Sequence, residues 1–346
     1  MTPIKPLRVL VVDDSAFARK VVREVLQRSP LIEVVGIARD GLDALEKIAE
    51  LKPDVITLDL VMPQLDGLGV LRALGEQKNP PRVVVVSMAD EDSELGVAAL
   101  LAGAYDVVHK PTALATDRLY ELGAELLQAV LDAATATRPK PVSLPPLAAA
   151  PAPVAVHGAR LVVIGASTGG PQALSKILKS LPASFPVPIA LVLHMPAGYT
   201  ESFAKRLDSE CALDIREARD GLVIDPGMAI VGRAGMHMII ETDSSGHVRV
   251  RLSVEPLHTA HRPAVDVLFE SAANALGPAA VGIVLTGMGT DGLAGSRVLH
   301  AAGGRIITES ASSCIVYGMP RAVFEAGLAV AEAPLDRIVA TLLRQL

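Results

Sequence analysis

The sequence predicts an α/β protein with two domains, each built on a doubly wound parallel sheet. Short apolar runs alternate with amphipathic stretches of helix length along most of the 346 residues, which is the pattern of parallel strands joined by helices. Half of the residues are hydrophobic, yet only 3% are aromatic and none is Trp. Cores of Val, Ile, Leu and Ala are typical of parallel sheets covered by helices. A chain of this length is long enough for two such cores.

The first predicted domain covers residues 1–132. Ser15 is placed to cap its first helix, whose apolar face is formed by Ala18, Val21, Val22, Val25 and Leu26. Strands are predicted at Arg8–Val12, Ile32–Ala38, Asp54–Asp59, Arg82–Ser87 and near Asp106–Val108. Helical patterns lie between and after them, near 41–51, 66–75, 92–102 and 117–132.

Polar residues stand at four of these strand ends, where a doubly wound sheet binds its ligand. They are Asp13, Asp14, Asp59, Ser87 and Lys110. Three converging carboxylates repel one another unless a cation lies between them, and hard oxygen ligands suit Mg²⁺. Asp59 is then placed to attack a phosphoryl donor, with Ser87 and Lys110 each binding an oxygen of the acyl phosphate. A solvated rim explains one such residue better than five.

Four stretches of this domain together resemble the receiver domain of two-component response regulators: VVDDS at 11–15, TLDLVMPQLDG at 57–67, VVVVSMAD at 83–90 and AGAYDVVHKP at 102–111. The resemblance implies a flavodoxin-like fold with Asp59 as phospho-acceptor. It implies Mg²⁺ bound by Asp13, Asp14 and Asp59. Ser87 is the implied switch hydroxyl, and with Lys110 it binds the phosphoryl group.

The sequence departs from the receiver pattern at Val107. Many receivers carry an aromatic switch residue at this place, three positions before the lysine. The departure leaves an aromatic gate at this position in question, while phosphorylation itself is still expected.

A proline- and alanine-rich segment at 133–159 separates the two domains. It contains six prolines and shows neither the helix period nor the strand period. This composition is typical of a semi-rigid, partly extended linker. We interpret His157, which lies within it, as a solvated residue.

The second predicted domain covers residues 160–346 and begins with LVVIGASTGG at 161–170. An apolar strand, Leu161–Ile164, runs through small residues into a helix that begins at Pro171. A Gly-x-Ser-x-Gly turn of this kind lifts one hydroxyl clear of the backbone, so Ser167 is the candidate nucleophile. A dinucleotide-binding turn is the alternative, although Ser167 takes the place of its second glycine. The second alternative is a tight turn that has no catalytic or binding role.

Two later strand ends supply candidate partners for Ser167. His194 follows the strand Pro188–Leu193 and is the candidate base. Asp291 lies in TGMGTDG, residues 286–292, which follows the strand Ala280–Leu285, and it is the candidate carboxylate that orients the imidazole. The main-chain N–H of Met288 in the same loop is a candidate oxyanion donor. A structural histidine and an ordinary turn aspartate are the alternative interpretations.

The order Ser, His, Asp along the chain argues against the usual α/β-hydrolase arrangement, in which the carboxylate precedes a late histidine. His258 and His261 are three residues apart and suggest a metal at first sight. No cysteine or second cluster supports a metal there. We therefore interpret them as residues at the rim, near Arg262 and Asp266.

Five stretches of the second domain together resemble the catalytic domain of the chemotaxis protein-glutamate methylesterases: IGASTGGP at 164–171, LHMPAGYT at 193–200, HRPAVDVLFESAA at 261–273, LTGMGTDGLAG at 285–295 and YGMPRAV at 317–323. The resemblance implies a Rossmann-like α/β esterase domain with Ser167 as nucleophile, His194 as base and Asp291 as carboxylate. Met288 is implied to hold the oxyanion through its backbone, and no cofactor is implied for this esterase site.

The whole chain then resembles the chemotaxis response regulators that carry a methylesterase domain. The implied reaction is hydrolysis of glutamate γ-methyl esters on chemoreceptors with release of methanol, together with deamidation of certain receptor glutamines. The implied partners are methyl-accepting chemoreceptors as substrate and a chemotaxis histidine kinase as phosphodonor. We expect phosphorylation at Asp59 to relieve an inhibition that the unphosphorylated receiver exerts on the Ser167 site.

Composition argues against several other classes of protein. The net charge is −6 and no basic stretch is mixed with aromatic residues, so we expect no nucleic-acid binding. The uncharged run Ser271–Thr290 is broken by glycine and proline, so we expect no membrane insertion. The amino terminus lacks a signal-peptide pattern. Cys211 and Cys314 lie far apart, which suits a reducing compartment, and we expect a cytoplasmic protein.

Three alternatives stay open at the level of sequence. A nucleotide-binding oxidoreductase would use the Ser167 turn but leaves His194 and Asp291 unexplained. A receiver joined to a non-catalytic interaction domain would keep its activity without the Ser167 hydroxyl. An esterase of the same kind in a chemosensory-like pathway that controls development or surface growth would carry identical catalytic residues.

Overall fold

The computed structural model describes residues 5–87, 93–110, 116–135 and 158–346. The chain divides into two compact units, Met1–Ala136 and Thr137–Leu346. Most of the predicted linker at 133–159, including His157, lies outside the described residues, and the domain boundaries at 132 and 160 stay predictions. Within the described part of the chain, none of the helices combines the length and the apolar composition that a bilayer crossing demands.

The first unit alternates strands with helices, as the sequence predicts. Its strands are β1 (Leu7–Val12), β2 (Ile32–Ala38), β3 (Val55–Leu58), β4 (Arg82–Ser87) and β5 (Asp106–His109). Its helices are α1 (Ala16–Leu26), α2 (Gly41–Leu51), α3 (Gly67–Gly75), α4 (Ser93–Leu101) and α5 (Thr116–Thr135). The sheet order is β2-β1-β3-β4-β5, and every pair is parallel.

Local chemistry explains where these helices begin. The Ser15 side chain accepts a hydrogen bond from the main-chain N–H of Ala18 at 3.3 Å, so α1 starts at Ala16 with its first turn capped. Asp66 caps α3 in the same way, and this helix therefore begins one residue later than the pattern predicts. The buried face of α1 is formed by Val21, Val22, Val25 and Leu26.

The second unit is larger. Its strands are β6 (Leu161–Ala166), β7 (Ile189–Leu193), β8 (Asp214–Glu217), β9 (Met228–Val231), β10 (His237–Thr242), β11 (Val248–Ser253), β12 (Ala280–Val284), β13 (Arg305–Glu309) and β14 (Ala331–Ala333). Its α-helices are α6 (Gly170–Lys179), α7 (Tyr199–Glu210), α8 (Val265–Leu276), α9 (Leu293–Ala301), α10 (Met319–Glu325) and α11 (Ile338–Leu343).

Seven of these strands form one sheet in the order β14-β13-β12-β6-β7-β9-β8, with parallel pairing throughout. The predicted α/β class with parallel sheets is thereby confirmed for both units. The remaining strands, β10 and β11, form an antiparallel ribbon that was not predicted from the sequence. The ribbon packs against α8, and its inward-facing Met238, Ile240, Val248 and Val250 join the core of the unit.

The sheet order decides where polar side chains meet. β6 lies between β7 and β12, and β13 lies on the other side of β12. All four strands are parallel, so their carboxyl ends reach the same edge of the sheet. Residues that follow these strands therefore lie close together, although they are far apart in the sequence.

Candidate active site

Ser167 lies in the turn between β6 and α6. Its main-chain N–H donates to the carbonyl oxygen of Thr286 at 3.0 Å, and its own carbonyl accepts from Gly170 at 2.7 Å. Gly169 caps α6 in the left-handed conformation, with φ of 78°, and a side chain there would meet Ile315 at 2.7 Å. The turn needs glycine at this place for both reasons.

The structure brings the three predicted esterase residues together. The Ser167 Oγ lies 3.2 Å from His194 Nδ1, and His194 Nε2 lies 2.8 Å from Asp291 Oδ2. The imidazole is nearly enclosed, with 8% of its side chain exposed. With Asp291 ionised, Nε2 carries the proton that it donates to the carboxylate. Nδ1 is then the free lone pair that accepts the Ser167 hydroxyl proton.

The Asp291 carboxylate is held at the start of α8. Its Oδ2 accepts from the Val265 N–H at 2.7 Å, and its Oδ1 accepts from the Asp266 N–H at 2.9 Å. Burial raises the pKa of Asp291, but the hydrogen bond and charge of His194, together with these two N–H donors, outweigh it and bring the pKa below its usual value. The helix start also favours a negative charge. Asp291 is therefore a fixed anion behind the imidazole.

Gly287 makes a close approach to the nucleophile possible. A β-carbon at this position would lie 2.8 Å from Ser167 Cβ and 2.4 Å from Met319 Sδ. Met288 follows Gly287 directly, and its side chain is 39% exposed. An open cavity of about 850 Å³ lies on the Asp291 side of the triad and is lined by Met288 and Asp291 among others, but not by Ser167 or His194. The candidate oxyanion donor thus stands at the wall of a cavity next to the triad.

His261 belongs to this site, which the interpretation as a mere rim residue missed. Its ring stacks on His194, with 3.8 Å between the ring centroids and 19° between the planes, and the residue is otherwise exposed to solvent. Burial lowers the pKa of His261, the neighbouring His194 lowers it further, and Asp291 opposes this. A neutral His261 imidazole packs against His194 without placing a second positive charge beside it. The stack was not predictable because His194 and His261 lie far apart in the sequence and no local pattern brings them together.

His237, at the start of β10, anchors the loop that carries His261. Its Nδ1 accepts from the Ala264 N–H at 3.2 Å, and its Nε2 lies 3.1 Å from the carbonyl oxygen of Pro256. These partners require the neutral tautomer protonated on Nε2. Burial lowers the pKa of His237, which is fully enclosed.

Asp266, the residue after Val265, accepts from the Gly295 N–H at 2.7 Å through Oδ1. Burial raises its pKa, and the Asp291 charge adds to this effect. The side chain thus joins the start of α8 to α9. It stands close to the triad but serves as a connection between two helices.

The first unit gathers its own set of polar residues at the ends of β1, β3 and β5. Asp13, Asp14 and Asp59 each place a carboxylate oxygen within 4.8 Å of the others. Lys110 Nζ lies 2.9 Å from Asp13 Oδ2 and 2.6 Å from Asp59 Oδ2. Asp13 and Asp59 are buried, whereas Asp14 is exposed.

The charges at this cluster are not balanced. Burial raises the pKa of Asp59, and the charge of Asp13 raises it further, against the opposing effect of Lys110. Burial lowers the pKa of Lys110, but the two carboxylates outweigh it, so the ammonium is held charged. The cluster contains one ammonium and three carboxylates, and it is open to solvent at Asp14. This donor set fits a hard divalent cation such as Mg²⁺.

Ser87 ends β4 and is fully buried. Its carbonyl oxygen accepts from the Lys110 N–H at 2.6 Å, so the two predicted phosphoryl-binding residues lie at the same edge of the sheet. Val107 is 2% exposed within β5, so an aliphatic side chain fills the place of the expected aromatic switch residue. Residues 88–90 and Pro111 of the two flanking motifs lie outside the described residues.

Comparison with known families matches both halves of the chain. Residues 162–342 match the family described as CheB methylesterase, and residues 9–121 match the family described as response regulator receiver domain. Within the first match lie Ser167, His194, Met288 and Asp291. The second match includes Asp13, Asp14, Asp59, Ser87 and Lys110.

Similar proteins extend over the full length. One is the protein-glutamate methylesterase/protein-glutamine glutaminase 5 of Myxococcus xanthus (strain DK1622), which is 60% identical over 99% of both chains. The protein of the same description from Symbiobacterium thermophilum is 44% identical over 98% of this chain and 97% of its own. Among solved structures, the Thermotoga maritima CheB methylesterase catalytic domain is 38% identical and superposes with a TM-score of 0.53. It covers 54% of this chain and 99% of its own.

Proposed function

The chain belongs to the CheB methylesterase family and carries a response regulator receiver domain, and we propose that Ser167, His194 and Asp291 perform its ester hydrolysis on methylated chemoreceptors. As a member of this family it is a protein-glutamate methylesterase with protein-glutamine glutaminase activity. The observation that carries the proposal is the continuous chain of contacts from Ser167 Oγ through the His194 ring to Asp291 Oδ2.

In the proposed first step, Ser167 Oγ attacks the carbonyl carbon of a glutamate γ-methyl ester. His194 Nδ1 takes the hydroxyl proton as the C–O bond forms, and the ionised Asp291 stabilises the resulting imidazolium. Negative charge develops on the former carbonyl oxygen. The Met288 N–H is the proposed donor to that oxyanion.

Collapse of the tetrahedral adduct breaks the bond to the methoxy oxygen, which leaves as methanol with the proton from His194. The glutamyl group is then joined to Ser167 as an ester. Water attacks this ester, His194 takes one proton from the water and returns it to Ser167, and a glutamate carboxylate is released. With a glutamine substrate the leaving group is ammonia, and the product is the same glutamate.

The same geometry disfavours the dinucleotide-binding alternative. That motif needs glycine where Ser167 stands so that the backbone can approach a pyrophosphate. Here the Ser167 side chain occupies this place and is directed at His194. No residue of the triad would have a role in hydride transfer.

We propose further that the receiver domain controls this activity through Asp59. A chemotaxis histidine kinase or a small phosphodonor supplies the phosphoryl group that Asp59 accepts, and Lys110 and Ser87 bind the oxygens of the acyl phosphate. Asp13, Asp14 and Asp59 would hold Mg²⁺, which when bound neutralises charge on the phosphoryl group. Adaptation in chemotaxis is the proposed purpose of this control.

Methanol release from a methylated chemoreceptor tests the proposal. We expect the wild-type chain to release methanol and Ser167→Ala to lose nearly all of this activity. Ser209→Ala, an exposed serine on α7, is the matched control and should keep the wild-type rate. Equal rates for wild type and Ser167→Ala would overturn the assignment of the nucleophile.

A further inference from the structure

A carboxylate that the proposed mechanism does not use lies next to the triad. Glu309 is the last residue of β13, and none of its surface is exposed. β13, β12 and β6 are adjacent parallel strands. Glu309, Thr286 and Ser167 follow or end these strands, so they lie in a row along the carboxyl edge of the sheet.

Hydrogen bonds join this row. The Thr286 N–H donates to Glu309 Oε2 at 2.9 Å, and the Ser167 N–H donates to the Thr286 carbonyl oxygen at 3.0 Å. The Thr286 hydroxyl donates to the Thr168 carbonyl oxygen at 2.9 Å and accepts from the Val316 N–H at 3.0 Å. Thr286 therefore holds the main chain on both sides of the nucleophile, and Glu309 holds Thr286.

The second oxygen of Glu309 is also engaged as an acceptor. The Ser313 hydroxyl donates to Oε1 at 2.8 Å, and the Ser313 oxygen accepts from the Leu335 N–H at 2.9 Å. Burial raises the pKa of Glu309, while the bonds from Ser313 and Thr286 lower it. The contacts with Thr286 and Ser313 both use Glu309 oxygens as acceptors, so the structure requires acceptor atoms at this position.

Loss of the Glu309 side chain would leave the Thr286 N–H buried without a partner. An unsatisfied buried donor is costly, and the main chain shifts to relieve it. Any shift of Thr286 passes to Ser167 and Thr168 through their hydrogen bonds. The Ser167 Oγ is already 3.2 Å from His194, so a small displacement weakens proton transfer.

We propose that Glu309 is a positioning residue for the esterase reaction, which acts through Thr286 to hold Ser167 in reach of His194. The proposal rests on the proposed role of Ser167 as nucleophile. Glu309 touches neither substrate nor reacting atoms. Its contribution is to kcat, because the geometry that it maintains is used after the substrate has bound.

The test compares two substitutions of Glu309 in the full chain. Glu309→Gln keeps an acceptor for the Thr286 N–H, and its amide can donate to the Ser313 oxygen. Glu309→Leu keeps the approximate volume and removes both acceptors. We expect Glu309→Leu to lower kcat for methanol release by about 10-fold to 100-fold, the cost of a misplaced reacting group, with KM within about twofold. Glu309→Gln should restore kcat to within about threefold of wild type.

Thr308→Val is the matched control. Thr308 is the neighbouring residue on β13, is equally buried, and its hydroxyl has no hydrogen-bond partner among the described residues. Its kcat should equal that of wild type. A kcat for Glu309→Leu equal to that of Thr308→Val would overturn the proposal. So would a Glu309→Gln variant as slow as Glu309→Leu, because charge rather than acceptance would then be needed.

Circular dichroism establishes that each variant is folded. If Glu309→Leu does not fold, Glu309→Met replaces it, since its flexible side chain adapts to the buried site and carries neither carboxylate acceptor. The methionine variant should then be slower in kcat than Glu309→Gln, and equal kcat values would overturn the proposal. Ser167→Ala separates the two inferences. If Ser167→Ala stays active, the nucleophile assignment fails, whereas an inactive Ser167→Ala beside an unimpaired Glu309→Leu overturns only the role of Glu309.

Discussion

At the scale of single residues, Asp291 carries the electrostatics of the esterase site. It binds His194 Nε2 and two main-chain N–H groups of α8, and its pKa is lowered by these contacts in spite of burial. The carboxylate therefore stays ionised and keeps Nδ1 of the imidazole available to Ser167. This arrangement makes the charge of Asp291, more than its shape, the quantity to test.

Asp291→Asn removes the charge and retains the shape. We expect kcat for methanol release to fall by about 10³-fold to 10⁴-fold, because an amide neither fixes the right tautomer nor stabilises the imidazolium. Asp225→Asn, the same change on an exposed residue outside the cavity lining, is the control and should stay near wild type. An Asp291→Asn variant within about threefold of wild type would contradict the triad.

His261 supplies a second test at this scale. A lysine at position 261 places a fixed cation against the ring of His194, where acid–base catalysis must create an imidazolium. We expect His261→Lys to lower kcat by at least about tenfold, since like charges at this distance repel strongly in a partly enclosed site. His258→Lys, on the exposed wall of the same cavity, should have a smaller effect. Equal effects of the two substitutions would argue against the stack.

The residues of the triad were predictable, and those that support it were not. Ser167, His194 and Asp291 each follow an apolar strand, so the rule for parallel sheets places them at one edge. His261 and His237 reach the site through loop closure, and Glu309, which ends β13, acts on it through a buried contact with Thr286. No local pattern specifies such contacts, because they depend on segments that are far apart in sequence.

At the scale of elements, the loop between β11 and α8 shapes one wall of the cavity. His237 ties this loop to β10 by accepting from the Ala264 N–H and by its contact with the Pro256 carbonyl. The next two N–H groups along the chain, those of Val265 and Asp266, hold Asp291. The conformation of this loop is thereby coupled to the orientation of the triad.

The loop should loosen in acid. Burial lowers the pKa of His237 below 6.5, so the neutral form is favoured in the folded chain and the stabilisation is complete above that pH. As the pH falls below 6.5, protonation favours the open loop, and protection of Ala264 against hydrogen exchange should fall by up to about tenfold per pH unit. Exchange mass spectrometry, corrected for the intrinsic rate, measures this. His237→Asn keeps an acceptor without titrating, and an equal pH dependence in this variant would contradict the account.

The strands that carry the triad follow from sequence, and the ribbon does not. Continuous apolar runs such as Leu161–Ala166 and Ala280–Val284 are buried on both faces, and their short length between turn residues marks them as strands. The β10–β11 ribbon alternates polar and apolar residues, as Val248–Ser253 shows, and lies on α8 with one face exposed. That alternation is a strand signal. The strands of a doubly wound sheet are separated by helices, so the prediction of that fold left out two consecutive strands joined by a short turn.

At the scale of the whole molecule, a phosphorylatable unit and an ester-hydrolysing unit share one chain. We expect a small phosphodonor such as acetyl phosphate with Mg²⁺ to raise the esterase rate of the full chain several-fold. Asp59→Asn should abolish this response without loss of the basal rate, because Asp59 takes no part in the esterase chemistry. Residues 160–346, provided that they fold alone, should be insensitive to the phosphodonor. Identical rates with and without phosphodonor for the wild-type chain would contradict control by the receiver.

The central claim is that a glutamyl group passes through a covalent ester on Ser167. Rapid mixing of the full chain with a methylated receptor peptide, acid quenching within milliseconds and mass spectrometry test it directly. We expect the tryptic fragment that contains Ser167 to carry the receptor peptide less one methanol, and Asp291→Asn to show less of this adduct. An adduct on a residue other than Ser167 would contradict it. So would methanol release at the wild-type rate by Ser167→Ala.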